Sequence, residues 1–385
     1  MIYFDHAATA GNRPESVGRA MIHALEVVAA NPGRSGHRRS LDAARIAENA
    51  RDEVASLIGA PDSSHVAFTK SATEAINIVL LGSLKEGDVV LAGLFEHNSV
   101  MRPLRYLEKS RGVRILDIPG NAETPVDLAR LGRVLRDRDH PVRMVALGSA
   151  SNVTGRIMPL REVGAICREV GTFFLVDGAQ GAGILDIDVG RDCIDAFAMT
   201  GHKSLLGPPG TGALYLRAPD DVAPLLHGGT GSSSEAEQQP DFPPDKFEAG
   251  TLNVVGLAGL TEGIRYVRQV GMERLRRDQA GLLAHLWDSL GELPRVTRYG
   301  PGDPERQLAV VSFSVEGSDP GRIAHTLDRG GVCCRAGLHC APRAHRTLGT
   351  FARGGTVRFG LSGYNRHDEI DKAVALVRSV VVDRV

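Results

Sequence analysis

Phe173-Phe174-Leu175-Val176-Asp177-Gly178-Ala179-Gln180 is a short apolar run that stops at a carboxylate, and Thr200-Gly201-His202-Lys203 follows it further along the chain. A glycine-rich stretch, Gly207-Pro208-Pro209-Gly210-Thr211-Gly212, comes next. Short apolar runs bounded by turn residues are the pattern of strands buried on both faces. A carboxylate and a lysine at the ends of such strands are what an aldehyde cofactor with a pyridine ring requires. The amine forms a Schiff base, and the carboxylate keeps the ring nitrogen protonated so that the ring accepts electrons. The pair points to pyridoxal 5'-phosphate and leaves open which bond is broken.

Outward from this pair the pattern repeats. Apolar strands are expected at 65–69, 88–92, 113–117, 143–148 and 172–176, separated by helices at 73–84, 98–110, 125–136 and 159–170. Two further strands, 194–199 and 213–217, flank the lysine loop. Such alternation predicts an α/β fold with a mostly parallel sheet covered on both faces, and sites in such sheets form at the carboxyl ends of the strands. Residues 14–30 and 40–58 read as preceding helices. The Gly-, Ser- and Pro-rich stretch 228–244 reads as a long loop, a length that is usually functional. Beyond it come a helical pattern at 256–291, a strand at 308–315, a helix at 320–329, strands at 332–335 and 356–361, and a final helix at 367–381. The expected organisation is an arm at 1–12 packed with the smaller domain, a large domain at 13–255 and a smaller α+β domain at 256–385.

With 45 basic against 46 acidic residues, the net charge of −1 gives no reason to expect nucleic acid or an anionic membrane as a partner. No apolar run approaches a membrane span, and the N-terminus lacks a basic segment followed by an apolar one, so a cytoplasmic location is the default expectation. Five cysteines, three of them within Cys333–Cys340, favour reactive thiols over a disulfide framework in such a chain.

Several weaker signals gather around the lysine. Lys203 sits beside the apolar Ala196-Phe197-Ala198-Met199, where a solvated charge is not the simplest expectation. Ser71-Ala72-Thr73-Glu74 opens a helix after a strand; this is either an ordinary N-cap or a phosphate site, to which Thr200 and His202 add donors. His97 follows a strand and either stacks on a cofactor or caps the next helix. Asn152 can bond a phenol oxygen or serve only its turn with Gly155. Arg358, inside an apolar strand, requires a carboxylate from an internal Asp/Glu or from a substrate. In Cys333-Cys334-Arg335-Ala336-Gly337-Leu338-His339-Cys340, adjacent Cys-Cys and His-Cys pairs point apart and argue against a metal site. Cys333 and Cys334 suit inert thiols at a strand end. Cys340, beside Arg335 and His339, has the electropositive setting of a nucleophile.

Taken together, these residues resemble the cysteine desulfurases and selenocysteine lyases of the class V aminotransferase group, over nearly the whole chain. Tyr3-Phe4-Asp5-His6-Ala7-Ala8-Thr9 is similar to the family's opening, Asn31-Pro32-Gly33-Arg34-Ser35-Gly36-His37 to its early active-site loop, and Phe247-Glu248-Ala249-Gly250-Thr251 to its F-E-A-G-T element. The resemblance implies the type I pyridoxal-phosphate fold, with a seven-stranded sheet and a smaller C-terminal domain. It implies Lys203 as the cofactor lysine, Asp177 as the pyridinium partner and His97 stacked on the ring. Asn152 and Gln180 would bond the phenol oxygen, and Thr73, Thr200 and His202 the phosphate. Thr251 would reach in from the second subunit of a homodimer. Arg358, with Asn31, Arg34 and His37, would bind the substrate, and Cys340 would attack its sulfur.

R-x-G-x-H-C-A at 335–341 resembles the second desulfurase group, whose cysteine sits on a short ordered loop and whose turnover depends on an acceptor protein. The paired Cys333-Cys334 and Leu338 depart from that group. The implied reaction converts L-cysteine to alanine, with Lys203 taking the α-proton and a persulfide left on Cys340. Rivals are a selenocysteine lyase, a β-lyase or racemase of the same fold, and a sulfur-transfer docking platform with little activity of its own.

Overall fold

The computed structural model describes residues 1–33, 36–233 and 235–382. In chain order the first elements are β1 (Ile2–Tyr3), α1 (Glu15–His23), α2 (Arg38–Leu57), β2 (Val66–Thr69), α3 (Ala72–Ser83), β3 (Val89–Ala92), α4 (Asn98–Arg111), β4 (Arg114–Asp117), α5 (Leu128–Leu135), β5 (Met144–Gly148), α6 (Leu160–Val170), β6 (Phe173–Asp177), β7 (Ala196–Thr200) and β8 (Gly212–Leu216). They build a seven-stranded sheet in the order β2-β8-β7-β6-β5-β3-β4, parallel throughout except for β8, which runs against both neighbours.

The apolar runs are continuous because both faces are covered. Phe174, Val176, Phe197 and Met199 turn into a core with α2, α5, α6 and the later helix at 254–270. The alternate residues Phe173, Leu175, Ala196 and Ala198 turn into a second core with Ile76, Val79 and Leu80 of α3 and Leu104 and Leu107 of α4. This is the period-two pleat with helices on either side.

The chain continues through α7 (Val254–Val270), α8 (Met272–Gly291), β9 (Val296–Tyr299), β10 (Val310–Val315), α9 (Pro320–Arg329), β11 (Val332–Cys333), β12 (Arg335–Gly337), α10 (Pro342–Thr347), β13 (Thr356–Gly360) and α11 (His367–Val382). A four-stranded antiparallel sheet, β12-β13-β10-β9, packs its apolar face on α8, α9 and α11. The N-terminal segment joins this part: β1 pairs in parallel with β11, and Asp5 bridges to Gly360.

Three expectations change. The helix expected over 256–291 is two helices, because Gly271 (φ 87°, ψ 130°) leaves the helical region. The strand expected at 332–335 is two strands in different sheets, with the chain crossing between them at Cys334. A boundary at 255/256 falls inside α7, whose Leu257, Leu260 and Ile264 share the core of the large sheet; we propose the division at Gly271 instead.

Glu248, in the F-E-A-G-T element, is locked to the edge of the large sheet. Arg51 holds it with two hydrogen bonds (2.8 and 3.0 Å), Phe68 N–H donates to the same carboxylate (2.6 Å), and both side chains are buried. Removing one partner leaves a buried, uncompensated charge, at a cost of about 3–5 kcal/mol. Glu248→Ala therefore lowers the unfolding free energy, read from denaturant titration, by that amount, whereas the paired apolar replacement Arg51→Met/Glu248→Leu recovers most of the loss.

Candidate active site

The ladder pairs Gly148 with Asp177 and Asp177 with Ala198, so β5, β6 and β7 end side by side. The segments leaving these ends, with those after β2 and β3, line a cleft of about 220 Å³. Thr73, His97, Asn152, Asp177, Gln180, Thr200, His202, Lys203 and Arg358 all face it, together with Arg335 and His339. The crevice outside the carboxyl ends of parallel strands thus gathers residues from across the chain.

Lys203 lies partly buried just beyond β7, and among the described residues its Nζ has no hydrogen-bond or ion-pair partner. Burial pulls its ammonium down to about 8; Asp177 opposes this, while Arg358 and Arg335 add to it. The amine is thus available in neutral form far below the ordinary lysine range. Asp177 receives Ala179 N–H on Oδ1 (2.9 Å) and the Ser99 hydroxyl on Oδ2 (3.1 Å), which aims the carboxylate into the cleft and leaves lone pairs for a ring N–H.

His97 caps α4: its Nδ1 accepts Ser99 N–H (3.0 Å), which assigns the ring proton to Nε2. Burial lowers its pKa, so the ring is neutral at pH 7, although Asp177 opposes the shift. The cap and the cofactor-facing position are therefore compatible rather than alternatives. Ser99, which links His97 to Asp177, was not singled out from sequence; its only signal was its place after a cap histidine. Glu96 was missed too. It is buried, accepts Gly148 N–H (2.9 Å), and burial raises it to about 8, with the Gly148 hydrogen bond opposing and Asp177 reinforcing. A carboxyl that stays protonated near neutrality spares the cleft a second anion beside Asp177.

At the other end of the cleft, Ser71 caps α3 by accepting Glu74 N–H (3.3 Å), and Glu74 reaches back to Lys70 N–H (2.6 Å). The first-turn N–H groups of Ala72 and Thr73 have no intrahelical acceptor, as at any helix start, and here they line the cleft. A Cβ on Gly212 would come within 3.0 Å of the Ser71 backbone, so glycine there lets this helix start approach the lysine strand. Thr200 Oγ1 is buried without a partner among the described residues. Burial, followed by Lys203, lowers His202 to about 4, leaving it neutral.

The cysteine loop is anchored from the large sheet. Asn152 Nδ2 donates to the His339 carbonyl (2.7 Å), and Asn98 N–H donates to the Cys340 carbonyl (2.8 Å). These bonds hold two consecutive non-glycine residues, His339 (φ 49°) and Cys340 (φ 57°), in the left-handed region. Cys340 is exposed, and Arg335 Nη2 lies 3.4 Å from its Sγ. His339 does not contribute positive charge. Its ring is buried against Thr356 and His345, and burial keeps it neutral, with Arg358 acting in the same direction. The electropositive setting of Cys340 thus rests on Arg335.

Two of the candidate side chains already spend a hydrogen bond within the protein. Part of the Asn152 amide is committed to the loop, leaving Oδ1 as its unpartnered atom. Gln180 Nε2 likewise donates to the Ala7 carbonyl (3.1 Å). Arg358 is fully buried, with Nη2 on Asp5 (2.7 Å), Nη1 on the Asn152 carbonyl (3.0 Å) and Nε unpaired among the described residues. Its internal carboxylate is Asp5, a partner 353 positions away in sequence. Cys334 is packed beside the small core, and burial pushes its thiol up to about 12. Asn31 and His37 do not line this cleft, and His37 caps α2 through Ser40 N–H (3.2 Å). Thr251 is exposed and also lies outside the cleft, and Arg34 is outside the described residues. Among the described residues no group of three or more His, Cys, Asp or Glu could hold a metal ion, and no helix is long and apolar enough to cross a membrane.

The donor set fits pyridoxal 5'-phosphate: an unpartnered amine, a carboxylate with spare lone pairs, a neutral imidazole, and a helix start beside an orphaned threonine hydroxyl.

The model of the aminotransferase class-V family matches residues 2–373. A probable cysteine desulfurase of Methanothermobacter thermautotrophicus is 35% identical over 376 residues, covering 96% of this chain and 92% of the relative. One of Pyrococcus abyssi is 34% identical, covering 99% and 94%. The structure of a cysteine desulfurase from Thermococcus onnurineus, 34% identical, superposes with a TM-score of 0.91 over 99% of this chain and 94% of that one. A cysteine desulfurase from Escherichia coli superposes with a TM-score of 0.86 at 29% identity, covering 100% and 95%.

The lowered Lys203 pKa carries a stability consequence. Below about pH 8 the folded, cofactor-free protein holds a desolvated ammonium that the unfolded chain keeps in water. Lys203→Met removes it and raises the melting temperature of cofactor-free protein at pH 7 by several degrees. The gain fades as pH rises from about 8 toward the ordinary lysine value of about 10.4.

Proposed function

The chain belongs to the aminotransferase class-V family, and from that premise we propose that it is a pyridoxal-phosphate-dependent cysteine desulfurase, releasing alanine and retaining sulfur on Cys340. One observation carries the reading beyond the family. An exposed thiol, fixed beside a guanidinium, stands on a loop tied to the cleft that holds Lys203 and Asp177. A pyridoxal enzyme acting at Cα alone has no use for that thiol.

When bound, pyridoxal phosphate supplies an electron sink for the carbanion formed at the substrate Cα. Asp177 would hold its ring nitrogen and His97 its ring face. The α3 start, Thr73, Thr200 and His202 would hold its phosphate, with Asn152 and Gln180 at the phenol oxygen. Lys203 Nζ, with a pKa near the working pH, takes the α-proton. Arg335 Nη2, 3.4 Å from Cys340 Sγ, puts a positive charge beside the sulfur that attacks the substrate Sγ, and thiolate is the attacking form of a cysteine. The Cys340–sulfur bond forms as the substrate Cβ–sulfur bond breaks. Arg358, whose Nε lacks a protein acceptor, receives the substrate carboxylate while Asp5 keeps the guanidinium in place.

Thr251 is exposed and away from its own cleft, which suits a role in the partner's phosphate site within a homodimer. Asn31, Arg34 and His37, the further substrate contacts that the family resemblance implies, would act together with it. L-selenocysteine is an alternative substrate for the same machinery, and the persulfide passes to an acceptor protein.

With L-cysteine and dithiothreitol, the holoprotein yields alanine and sulfide in equal amounts. Cys340→Ser lowers alanine formation at least about 100-fold while the cofactor absorbance is retained. Pyruvate in place of alanine, or full activity in Cys340→Ser, would show instead a β-lyase in which the thiol is incidental.

A further inference from the structure

Next to the Cys340 loop lies a groove that the desulfuration chemistry does not use. The groove runs between α4 and α10, encloses about 470 Å³, and begins at Asn98, whose N–H holds the Cys340 carbonyl (2.8 Å). Leu94 and Met101 contribute apolar surface to it. Four arginines line it, Arg102 and Arg105 from α4 and Arg343 and Arg346 from α10, against the single carboxylate of Asp117.

The charges are not equivalent. Arg343 is a structural anchor: its side chain is only 13% exposed, and it pairs with Asp117 (2.5 Å) and donates to the Ala92 carbonyl (3.2 Å). Arg105 is 54% exposed and shares Glu108 at 2.8 Å. Arg102 and Arg346 are exposed and have no carboxylate partner among the described residues; the Arg346 guanidinium carbon sits over the Phe351 ring, 4.3 Å from its centroid. In a chain of net charge −1, guanidinium groups without a carboxylate partner in a groove next to the cysteine loop are a local surplus of positive charge. Planar guanidinium forks match carboxylates, and like-signed groups lining one groove steer an oppositely charged partner.

We propose that this groove docks an acidic segment of the sulfur-acceptor protein, placing its cysteine against the persulfide of Cys340. The proposal rests on the desulfurase reading. In the transfer, the acceptor thiolate attacks the outer sulfur of the Cys340 persulfide. The sulfur–sulfur bond on Cys340 breaks, one forms on the acceptor, and Cys340 leaves as thiolate, so no oxidant or reductant is consumed. Aspartate or glutamate beside the acceptor cysteine pairs with Arg102 and Arg346, and apolar side chains cover Leu94 and Met101.

The test uses the holoprotein and three short labelled peptides, each with one cysteine flanked by aspartates, by lysines or by serines. Serine-for-cysteine versions report binding by fluorescence anisotropy without chemistry. At low ionic strength the acidic peptide binds at least about tenfold more tightly than the serine-flanked one, and the advantage shrinks as salt is added. Arg102→Glu/Arg346→Glu abolishes that advantage and favours the lysine peptide, yet leaves alanine formation with dithiothreitol unchanged. The acidic cysteine peptide accepts sulfur faster than its serine-flanked counterpart by a similar factor. Equal binding of acidic and serine-flanked peptides, or an unchanged preference in the double variant, overturns the proposal. So does an RNA oligomer that displaces the acidic peptide at lower concentration. Absence of alanine with dithiothreitol in the unaltered protein sinks the desulfurase reading alone, because the anisotropy arm still reads the groove.

Discussion

The hydrogen-bonded ladder that pairs Gly148 with Asp177 and Asp177 with Ala198 brings three strand ends to one line, and the lysine cleft hangs from it. Because β5, β6 and β7 are parallel, their successor segments leave on the same side, carrying Asn152, Asp177 and Lys203 to neighbouring positions. A one-residue slip would turn Asp177 to the opposite face and bury it in the helix layer. Phe173 and Leu175 on one face, with Phe174 and Val176 on the other, prevent that slip by filling two separate cores. The geometry of the chemistry is thus maintained by packing some distance from it.

The thiol arrives by a different route. Cys340 belongs to the part built on the four-stranded sheet, but its loop is secured by Asn98 and Asn152 of the large sheet. Left-handed backbone at His339 and Cys340 is costly, at about 1–3 kcal/mol per residue, and persists only where the surroundings over-determine it. The two anchoring carbonyl bonds supply that constraint. Arg358 reinforces it by joining Asp5 of the N-terminal segment, β13 and the Asn152 carbonyl in one buried knot. A loop held this way presents its sulfur at a fixed place instead of carrying it on a long excursion. In the proposed transfer, the surface around the loop, rather than its motion, is the route to an acceptor.

Much of this was legible in the sequence where the signal was local. Apolar runs ending in Asp177 and Thr200 announce strand ends, and Ser71 followed by Glu74 announces a helix start; each lies within a few residues of its consequence. What stayed hidden depends on contacts between distant segments. Asp5 meets Arg358 across 353 positions, Asn152 meets His339 across 187, and Ser99 meets Asp177 across 78. No periodicity announces those pairs. His339 reads as a positive neighbour of Cys340 along the chain, but its ring is turned into the interior and kept neutral by burial. The break at Gly271 was visible as a residue, yet apolar periodicity on both sides masked the change of direction.

In the proposed reaction Cys340 is the residue that receives sulfur, and it alone sets this chemistry apart, since Lys203 and Asp177 serve any reaction of this cofactor. The direct measurement is mass spectrometry of the Cys333–Arg343 peptide after the holoprotein meets L-cysteine under non-reducing conditions. One added sulfur atom on Cys340, with Cys333 and Cys334 unmodified, is the predicted result. Sulfur on Cys333 or Cys334 alone, or alanine released with no sulfur on any of the three, would contradict it.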